Sequence, residues 1–219
     1  MTSKAVLTIE AENPNFQAVC YGQDGLVTTK QLALSQLYDV LSDSVERSDI
    51  QSGLLPPHCI GVNIGNTGRW TVFLHRPAGY ADITYHDQLY QRFPLPDLVF
   101  RFRFTLGERV REAALAVVGS GELQDSSPLY CYPFSNLYPN QTLCLGNTLL
   151  PRCSLLSQLP QIMEFILSLP NNDDLYIQRN NRRNLPQEQL YEFLAGKTPE
   201  IYESEILTPR GRTLGEFFK

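Results

Sequence analysis

Residues 132–147 contain one cysteine in a setting that favours chemistry. In an extended backbone, Leu143 and Leu145 would point to one face and Cys144 to the other. The leucines would then anchor in a core while the sulfur faces outward. Gly146 follows at once and lets the chain turn away, which leaves the thiol accessible. This pattern predicts that Cys144 is a nucleophile.

Asn136 precedes Cys144 by eight positions, and the segment around it contains the turn formers Pro133, Pro139 and Asn140. A carboxamide can donate hydrogen bonds to an oxygen that becomes negative when a thioester or acyl carbonyl is attacked. We therefore predict that Asn136 stabilises the oxyanion formed during the reaction of Cys144. Plain turn chemistry is the alternative explanation, because asparagine satisfies backbone groups in loops.

The run N-L-Y-P-N-Q-T-L-C-L at residues 136–145 resembles the active-site segment of ubiquitin-conjugating enzymes, in which His-Pro-Asn precedes the catalytic cysteine by the same interval. The pieces P-F-S-N at 133–136 and C-L-G-N at 144–147 more closely resemble prokaryotic ubiquitin-conjugating-like family D, the family of the plasmid-borne PRTRC system. P-P-H-C at 56–59 and L-P-D-L-V-F at 95–100 also look like blocks of that family. The resemblance covers roughly residues 54–169.

The chain departs from the ubiquitin-conjugating pattern at three positions of this loop. Phe134 and Ser135 stand where the eukaryotic tripeptide has His and Pro, and Gln141 stands where a Gly is usual. We expect the last change to shift the turn of the loop to Asn140. The asparagine and the cysteine remain in register.

The resemblance implies an α+β, ubiquitin-conjugating-like fold: an antiparallel β-meander flanked by an N-terminal helix and C-terminal helices, with an N-terminal hairpin extension. It also implies that Cys144 accepts the C-terminus of a ubiquitin-like modifier protein as a thioester and passes it to an amine. The implied partners are that modifier, a ThiF-type activating enzyme and a metal-dependent deconjugating peptidase. Bacterial operons of this kind occur on plasmids and in anti-phage defence. The chain itself needs no cofactor, since ATP is consumed at the activating enzyme.

Composition restricts the remaining functions of the 219 residues. A net charge of −5 argues against broad binding to nucleic acid or to an anionic membrane. The five cysteines have no C-x-x-C spacing, which argues against a disulfide framework and a zinc ribbon. The longest apolar run, at residues 113–118, is too short to span a bilayer, and we find no signal-peptide pattern. We expect a cytoplasmic protein.

Short apolar or alternating runs bounded by Gly, Pro, Asn or Asp predict strands. These runs are residues 5–9, 16–21, 60–64, 70–75, 81–85, 98–104 and 113–118. The first two would form the hairpin and the other five an antiparallel meander. In residues 98–104 the phenylalanines alternate with Arg101 and Arg103, so that strand should bury its aromatic face against a helix.

Apolar residues at helical spacing predict three helices. They are residues 29–43, with Thr28 and Gln31 as a capping box, residues 158–169, and a last helix between Asn184 as N-cap and Gly196. From residue 197 we expect a partly loose tail, from which Leu214, Phe217 and Phe218 can dock on a surface. The predicted organisation is a hairpin and helix at 1–53, a ubiquitin-conjugating-like core at 54–170 and a helical extension at 171–219, in one compact domain.

Two other functions for the cysteine loop remain open. The altered pair Phe134 and Ser135 is consistent with an inert module of the same fold that only holds the modifier and the activating enzyme. A conventional cysteine hydrolase would need a histidine beside Cys144, and the candidates are His58, His75 and His86.

Two further clusters are weaker candidates for a site. His58 and Cys59 with a second histidine match no known metal-ligand spacing. The arginines at positions 179, 182 and 183 form either a solvated loop or a docking surface for an acidic partner.

Overall fold

A computed structural model of the chain describes residues 4–8, 15–21, 25–33, 35–36, 39, 52–65 and 68–219. Contacts divide the chain into two units, Met1–Gln51 and Ser52–Lys219. The described elements are mostly antiparallel strands with a few short helices, which confirms the α+β class.

The first unit contains a three-stranded antiparallel sheet. Its strands are β1 (Lys4–Thr8), β2 (Asn15–Tyr21) and β3 (Val27–Ala33), and β2 lies in the middle. The pairing of β1 with β2 confirms the predicted hairpin. The third strand was not predicted.

The helix predicted for residues 29–43 is wrong at its start, because residues 29–33 belong to strand β3. Thr29 pairs with Val19 of β2, so Thr29 and the rest of β3 are extended and the expected capping box at Thr28 does not form. A neighbouring strand satisfies every second backbone group of this β-branched segment, which outweighs its weak helical pattern. Ser35, Gln36 and Asp39 are helical, and the Gln36 side chain accepts a hydrogen bond from the Ala33 N–H at 3.0 Å. The other residues of 34–43 lie outside the described part.

The second unit is built on a six-stranded antiparallel sheet. Its strands, in sequence order, are β4 (Cys59–Ile64), β5 (Arg69–Arg76), β8 (Leu98–Thr105), β9 (Glu112–Val118), β10 (Pro128–Tyr130) and β11 (Pro209–Thr213). Their spatial order is β11-β10-β9-β8-β5-β4. Four of the five strands predicted for the meander, at 60–64, 70–75, 98–104 and 113–118, are neighbours in this sheet, but the prediction is wrong for residues 81–85, which lie outside it.

A separate hairpin leaves the sheet between β5 and β8. It consists of β6 (Gly79–Tyr85) and β7 (Gln88–Leu95), which pair only with each other among the described strands. Strand β7 was not predicted, and its Pro94 is a residue that strand interiors disfavour. In the hairpin, Pro94 lies near the end of β7 and pairs with Tyr80.

The main core lies on one face of the sheet. Strand β8 contributes Leu98, Phe100, Phe102 and Phe104, each 0% exposed. Helix α1 (Leu159–Leu167) follows a 3-10 turn at Leu156–Gln158 and covers these rings with its buried side. The predicted burial of the aromatic face against a helix is therefore confirmed. Helix α2 (Gln187–Leu194) adds Leu190, Tyr191 and Leu194 to the same core, and its N-cap is Pro186, two residues after the predicted cap.

The opposite face of the sheet is covered by the C-terminal segment. After a π-helical turn at Tyr202–Ile206, strand β11 extends the sheet edge and helix α3 (Leu214–Phe217) folds back over it. The ring centroids of Phe217 and Phe73 lie 6.1 Å apart in an edge-to-face arrangement. Docking of the apolar C-terminal residues is confirmed, but the expectation of a loose tail from residue 197 is wrong. No helix in the described part of the chain has the length and apolar character needed to cross a membrane.

Candidate active site around Cys144

The cysteine loop, residues 132–147, folds into a short irregular hairpin. Leu137 and Leu143 form an antiparallel bridge at its centre. On one side of this bridge, the backbone N–H of Cys144 donates to the carbonyl of Asn136 at 2.8 Å. On the other side, the N–H of Tyr138 donates to the carbonyl of Thr142 at 2.9 Å. The eight-residue interval in the sequence thus places Asn136 and Cys144 opposite each other.

The two leucines anchor this hairpin as predicted. Leu143 and Leu145 pack against the main core, and the Leu143 N–H donates to the carbonyl of Ala113 on β9 at 2.9 Å. Gly146 has φ +53°, a left-handed conformation that glycine adopts without strain, and the chain turns there. Cys144 is half-buried.

The turn of the hairpin spans Tyr138–Gln141, with Pro139 and Asn140 at its centre. Gln141 itself takes the left-handed conformation, with φ +70°, and its N–H donates to the Tyr138 carbonyl at 2.8 Å. Its side chain is 2% exposed and donates to the carbonyl of Leu115 at 3.3 Å. This buried contact with β9 holds Gln141 in a left-handed conformation that glycine adopts without strain.

Asn136 is held by a segment far away in the sequence. Its N–H donates to the Asp174 carbonyl at 2.9 Å, and its Nδ2 donates to Oδ1 of Asn171 at 3.5 Å. Asn171 in turn donates to the carbonyl of Thr84 on β6. Asn136 also has φ +61°, a conformation that asparagine tolerates better than most residues. These contacts support the alternative explanation, in which Asn136 satisfies backbone groups of the loop. Among the described residues, no hydrogen bond joins the Asn136 carboxamide to Cys144.

Tyr138 is the neighbour of the sulfur that the sequence analysis missed. Its hydroxyl donates a hydrogen bond to Sγ of Cys144 with an O···S distance of 3.4 Å. This hydrogen bond is the main cause of a raised pKa at Tyr138. No residue type or spacing in the sequence predicted this contact. The available signal was the position of Tyr138 just before the turn that returns the chain to Cys144.

The other cysteines of the second unit are less suited to nucleophilic chemistry. Burial raises the pKa of the Cys59 and Cys131 thiols. Cys153 is 0% exposed, and burial raises its pKa to about 11. Cys20 is exposed on β2 of the first unit.

The histidines do not complete a hydrolase site. His75 pairs with Asp97 at 2.9 Å and His86 with Asp173 at 3.1 Å. All three histidines are described, and none of them hydrogen-bonds to Cys144 or lines its cleft. The same part of the chain contains no group of three or more His, Cys, Asp or Glu side chains arranged for a metal ion.

The arginine cluster is largely committed to contacts within the chain. Arg182 donates to the carbonyls of Ser204 and Leu207, at 2.9 and 2.8 Å. Arg183 pairs with Glu205 at 2.7 Å and lies over the Phe193 ring. These contacts fix the loop before α2 to the π-helical turn.

Cys144 and Asn136 both line a cleft of about 300 Å³. One wall is the cysteine loop, another is the end of α1 with residues 169–174, and the β6–β7 hairpin contributes the inner side. A thiol and a carboxamide line the cleft, and the Tyr138 hydroxyl is hydrogen-bonded to the thiol. These are groups that suit acyl transfer.

Comparison with known proteins gives no family assignment. No family model, no curated protein and no solved structure matches this chain. The likeness of residues 136–145 to a conjugating-enzyme loop therefore rests on the sequence of those residues alone.

Proposed function

We propose that this chain is a ubiquitin-like modifier conjugating enzyme with a ubiquitin-conjugating-like core. Cys144 accepts the modifier C-terminus from a ThiF-type activating enzyme and transfers it to an amine, in a bacterial pathway of the kind found in anti-phage defence. One observation carries the proposal: a half-buried thiol lies at the mouth of a cleft, in a hairpin that pairs its backbone with Asn136.

The reaction has two steps. In the first, the Cys144 thiolate attacks the thioester carbonyl of the modifier, and the thiolate of the activating enzyme leaves. In the second, the amine attacks the new thioester, loses a proton to solvent or to a base, and the Cys144 thiolate leaves. Cysteine suits both steps because its thiolate is a good nucleophile and a good leaving group.

Both steps pass through a tetrahedral oxyanion, for which Asn136 supplies the donor. Its present hydrogen bond to Asn171 is long, 3.5 Å against the usual 2.7–3.2 Å for N–H···O. Because that bond is weak, turning the amide toward the oxyanion loses little. Removal of one such donor typically raises the barrier by about 2.7–4 kcal/mol.

A second function has one observation in its favour. Phe134 and Ser135, which replace the eukaryotic His and Pro, are 3% and 0% exposed and belong to the interior. Ser135 accepts a hydrogen bond from Gln187 at 2.8 Å. These residues serve packing, which fits a module that binds the modifier without reacting with it.

The test mixes the protein with its cognate activating enzyme, the modifier and ATP, followed by a non-reducing gel. The conjugating enzyme predicts an adduct that a reductant removes, that is lost in Cys144→Ala and that persists in Cys131→Ala and Cys153→Ala. Asn136→Ala should keep the adduct but slow its discharge to an amine. A wild-type protein that binds the modifier and forms no adduct identifies the binding module instead.

A further inference from the structure

The cleft beside Cys144 continues inward as an apolar cavity. Its outer lining includes Cys144 and Gly146, which are half-buried and exposed. Its inner lining consists of side chains that are at most 3% exposed, namely Phe93, Leu95, Phe100, Leu115 and Phe134. The space therefore opens beside the thiol and ends within the main core.

A cleft of about 300 Å³ lies at the lower end of the range for ligand pockets. Interiors are packed as closely as organic crystals, with few voids larger than a water molecule. An apolar cavity of about 150 Å³ stays dry and binds benzene. The 300 Å³ here includes the polar mouth, and the inner wall is formed by aromatic and aliphatic side chains. Its natural occupant is an apolar group.

The mouth of the cavity has a different character. Asn147, Asn171, Asn172 and Asp174 line its outer part. The Asn147 side chain is exposed and has no hydrogen-bond partner among the described residues. Carboxamides of this kind form hydrogen bonds with the N–H and C=O groups of a peptide backbone, whereas a simple aliphatic chain has no group that can bond to them.

We infer that Cys144 accepts a peptide acyl group with a large apolar side chain at its last or second-last residue, and that this side chain enters the cavity. The inference rests on the proposed function. The apolar residue must be one of these two because the cavity opens beside Sγ, to which the acyl carbon becomes bonded. A side chain that enters the cavity must therefore come from a residue at the acyl carbon or next to it. The modifier therefore ends in a sequence other than plain Gly-Gly.

The test uses short peptide thioesters and needs no activating enzyme. The full chain is incubated with mercaptoethanesulfonate thioesters of acetylated peptides ending in Gly-Gly, Leu-Gly or Gly-Leu, and with the octanoyl thioester. The Cys144 thiolate attacks the carbonyl, mercaptoethanesulfonate leaves, and intact-mass spectrometry follows the acylated protein. Each rate is divided by the rate with N-acetylcysteine, which removes differences in intrinsic reactivity.

We expect one of the leucine peptides to load Cys144 about tenfold or more faster than Gly-Gly. Ile166→Phe adds volume to the cavity wall, and this preference should disappear in that variant. Leu149→Phe makes a matched change at a position that is 69% exposed, and the preference should remain there. Thermal unfolding of both variants shows that they are folded.

Other outcomes overturn the inference in distinct ways. Equal loading by all three peptides means that the cavity does not select a side chain, while Cys144 remains a nucleophile. Faster loading by the octanoyl thioester alone means that the occupant is an aliphatic acyl chain. An absence of loading at Cys144 by every thioester rejects the proposed function together with this inference.

Discussion

The backbone N–H of Cys144 donates a hydrogen bond to the carbonyl oxygen of Asn136, with an N···O distance of 2.8 Å. This bond joins the two residues across the hairpin while leaving both side chains on the cleft. The Asn136 carboxamide is directed to Asn171, and the sulfur receives its hydrogen bond from Tyr138. The groups around the thiol thus come from two segments, residues 132–147 and residues 169–174.

Replacing Tyr138 with Phe should lower the reactivity of Cys144. The Tyr138 hydroxyl donates a hydrogen bond to the sulfur, and the thiolate is the species that reacts. We expect alkylation of Cys144 by iodoacetamide at pH 8 to slow by about two- to tenfold, the size of one hydrogen bond. Peptide mass spectrometry separates Cys144 from the other cysteines, and Tyr80→Phe, at an exposed tyrosine, is the control. An unchanged rate would mean that the contact does not act on the thiol.

The same hydrogen bond can be tested from the tyrosine. It raises the pKa of Tyr138. In Cys144→Ala the partner is gone, so the pKa of Tyr138 should fall toward its ordinary value. An NMR titration of labelled tyrosine rings measures this shift, and the assignment of the bond fails if the two proteins titrate alike.

Gln141 provides a test of backbone strain in the hairpin. Gln141→Ala loses the hydrogen bond to Leu115 and keeps the unfavourable φ of +70°, whereas Gln141→Gly loses the bond but relieves the strain. We therefore expect the alanine variant to be less stable than the glycine variant by about 1 kcal/mol. Urea unfolding compares their free energies of unfolding. The reverse order would show that the residue is not left-handed in solution.

The C-terminal segment should contribute strongly to stability. Phe217 is 2% exposed, packs on Phe73, and its carbonyl accepts a hydrogen bond from Arg101 at 3.1 Å. Phe217→Ala should lower the free energy of unfolding by about 3–5 kcal/mol, as expected for a buried ring. Leu155→Ala, at a position 63% exposed, should change it by less than about 0.5 kcal/mol. Similar small losses in both variants would mean that the segment is loose.

Alkaline pH should destabilise the second unit. Burial raises the pKa of Cys153 from 9.0 to about 11 and that of Tyr176 from 10.0 to about 12. Because both folded-state pKa values are raised, these groups favour the folded state fully below pH 9 and lose that contribution as pH rises through 11–12. Melting temperature should fall across pH 9–11, and less steeply in Cys153→Ala. If the melting temperature fell equally steeply with pH in that variant, the burial of the Cys153 thiol would be contradicted.

Local patterns predicted much of this fold. The alternation of aromatic and charged residues in β8 and the apolar runs of β5 and β9 determine which faces are buried, since successive strand residues point to opposite sides. The predictions failed where pairing with another strand determines the local structure. Thr29 lies at the start of a stretch with apolar residues at helical spacing, but it pairs with β2. Pro94 is a residue that strand interiors disfavour, but it lies near the end of β7.

The sequence by itself determined that Cys144 stands in a turn-rich loop with Asn136 at a fixed interval, because turn chemistry and leucine anchors act over a few residues. Only the tertiary structure decided which groups surround the sulfur. Asn171 and Asp174 reach Asn136 because the loop after α1 is hydrogen-bonded to the end of β6, and the cavity behind Cys144 is enclosed by side chains from β7, β8 and β9. Contacts between segments so far apart depend on packing, which no short stretch of sequence encodes.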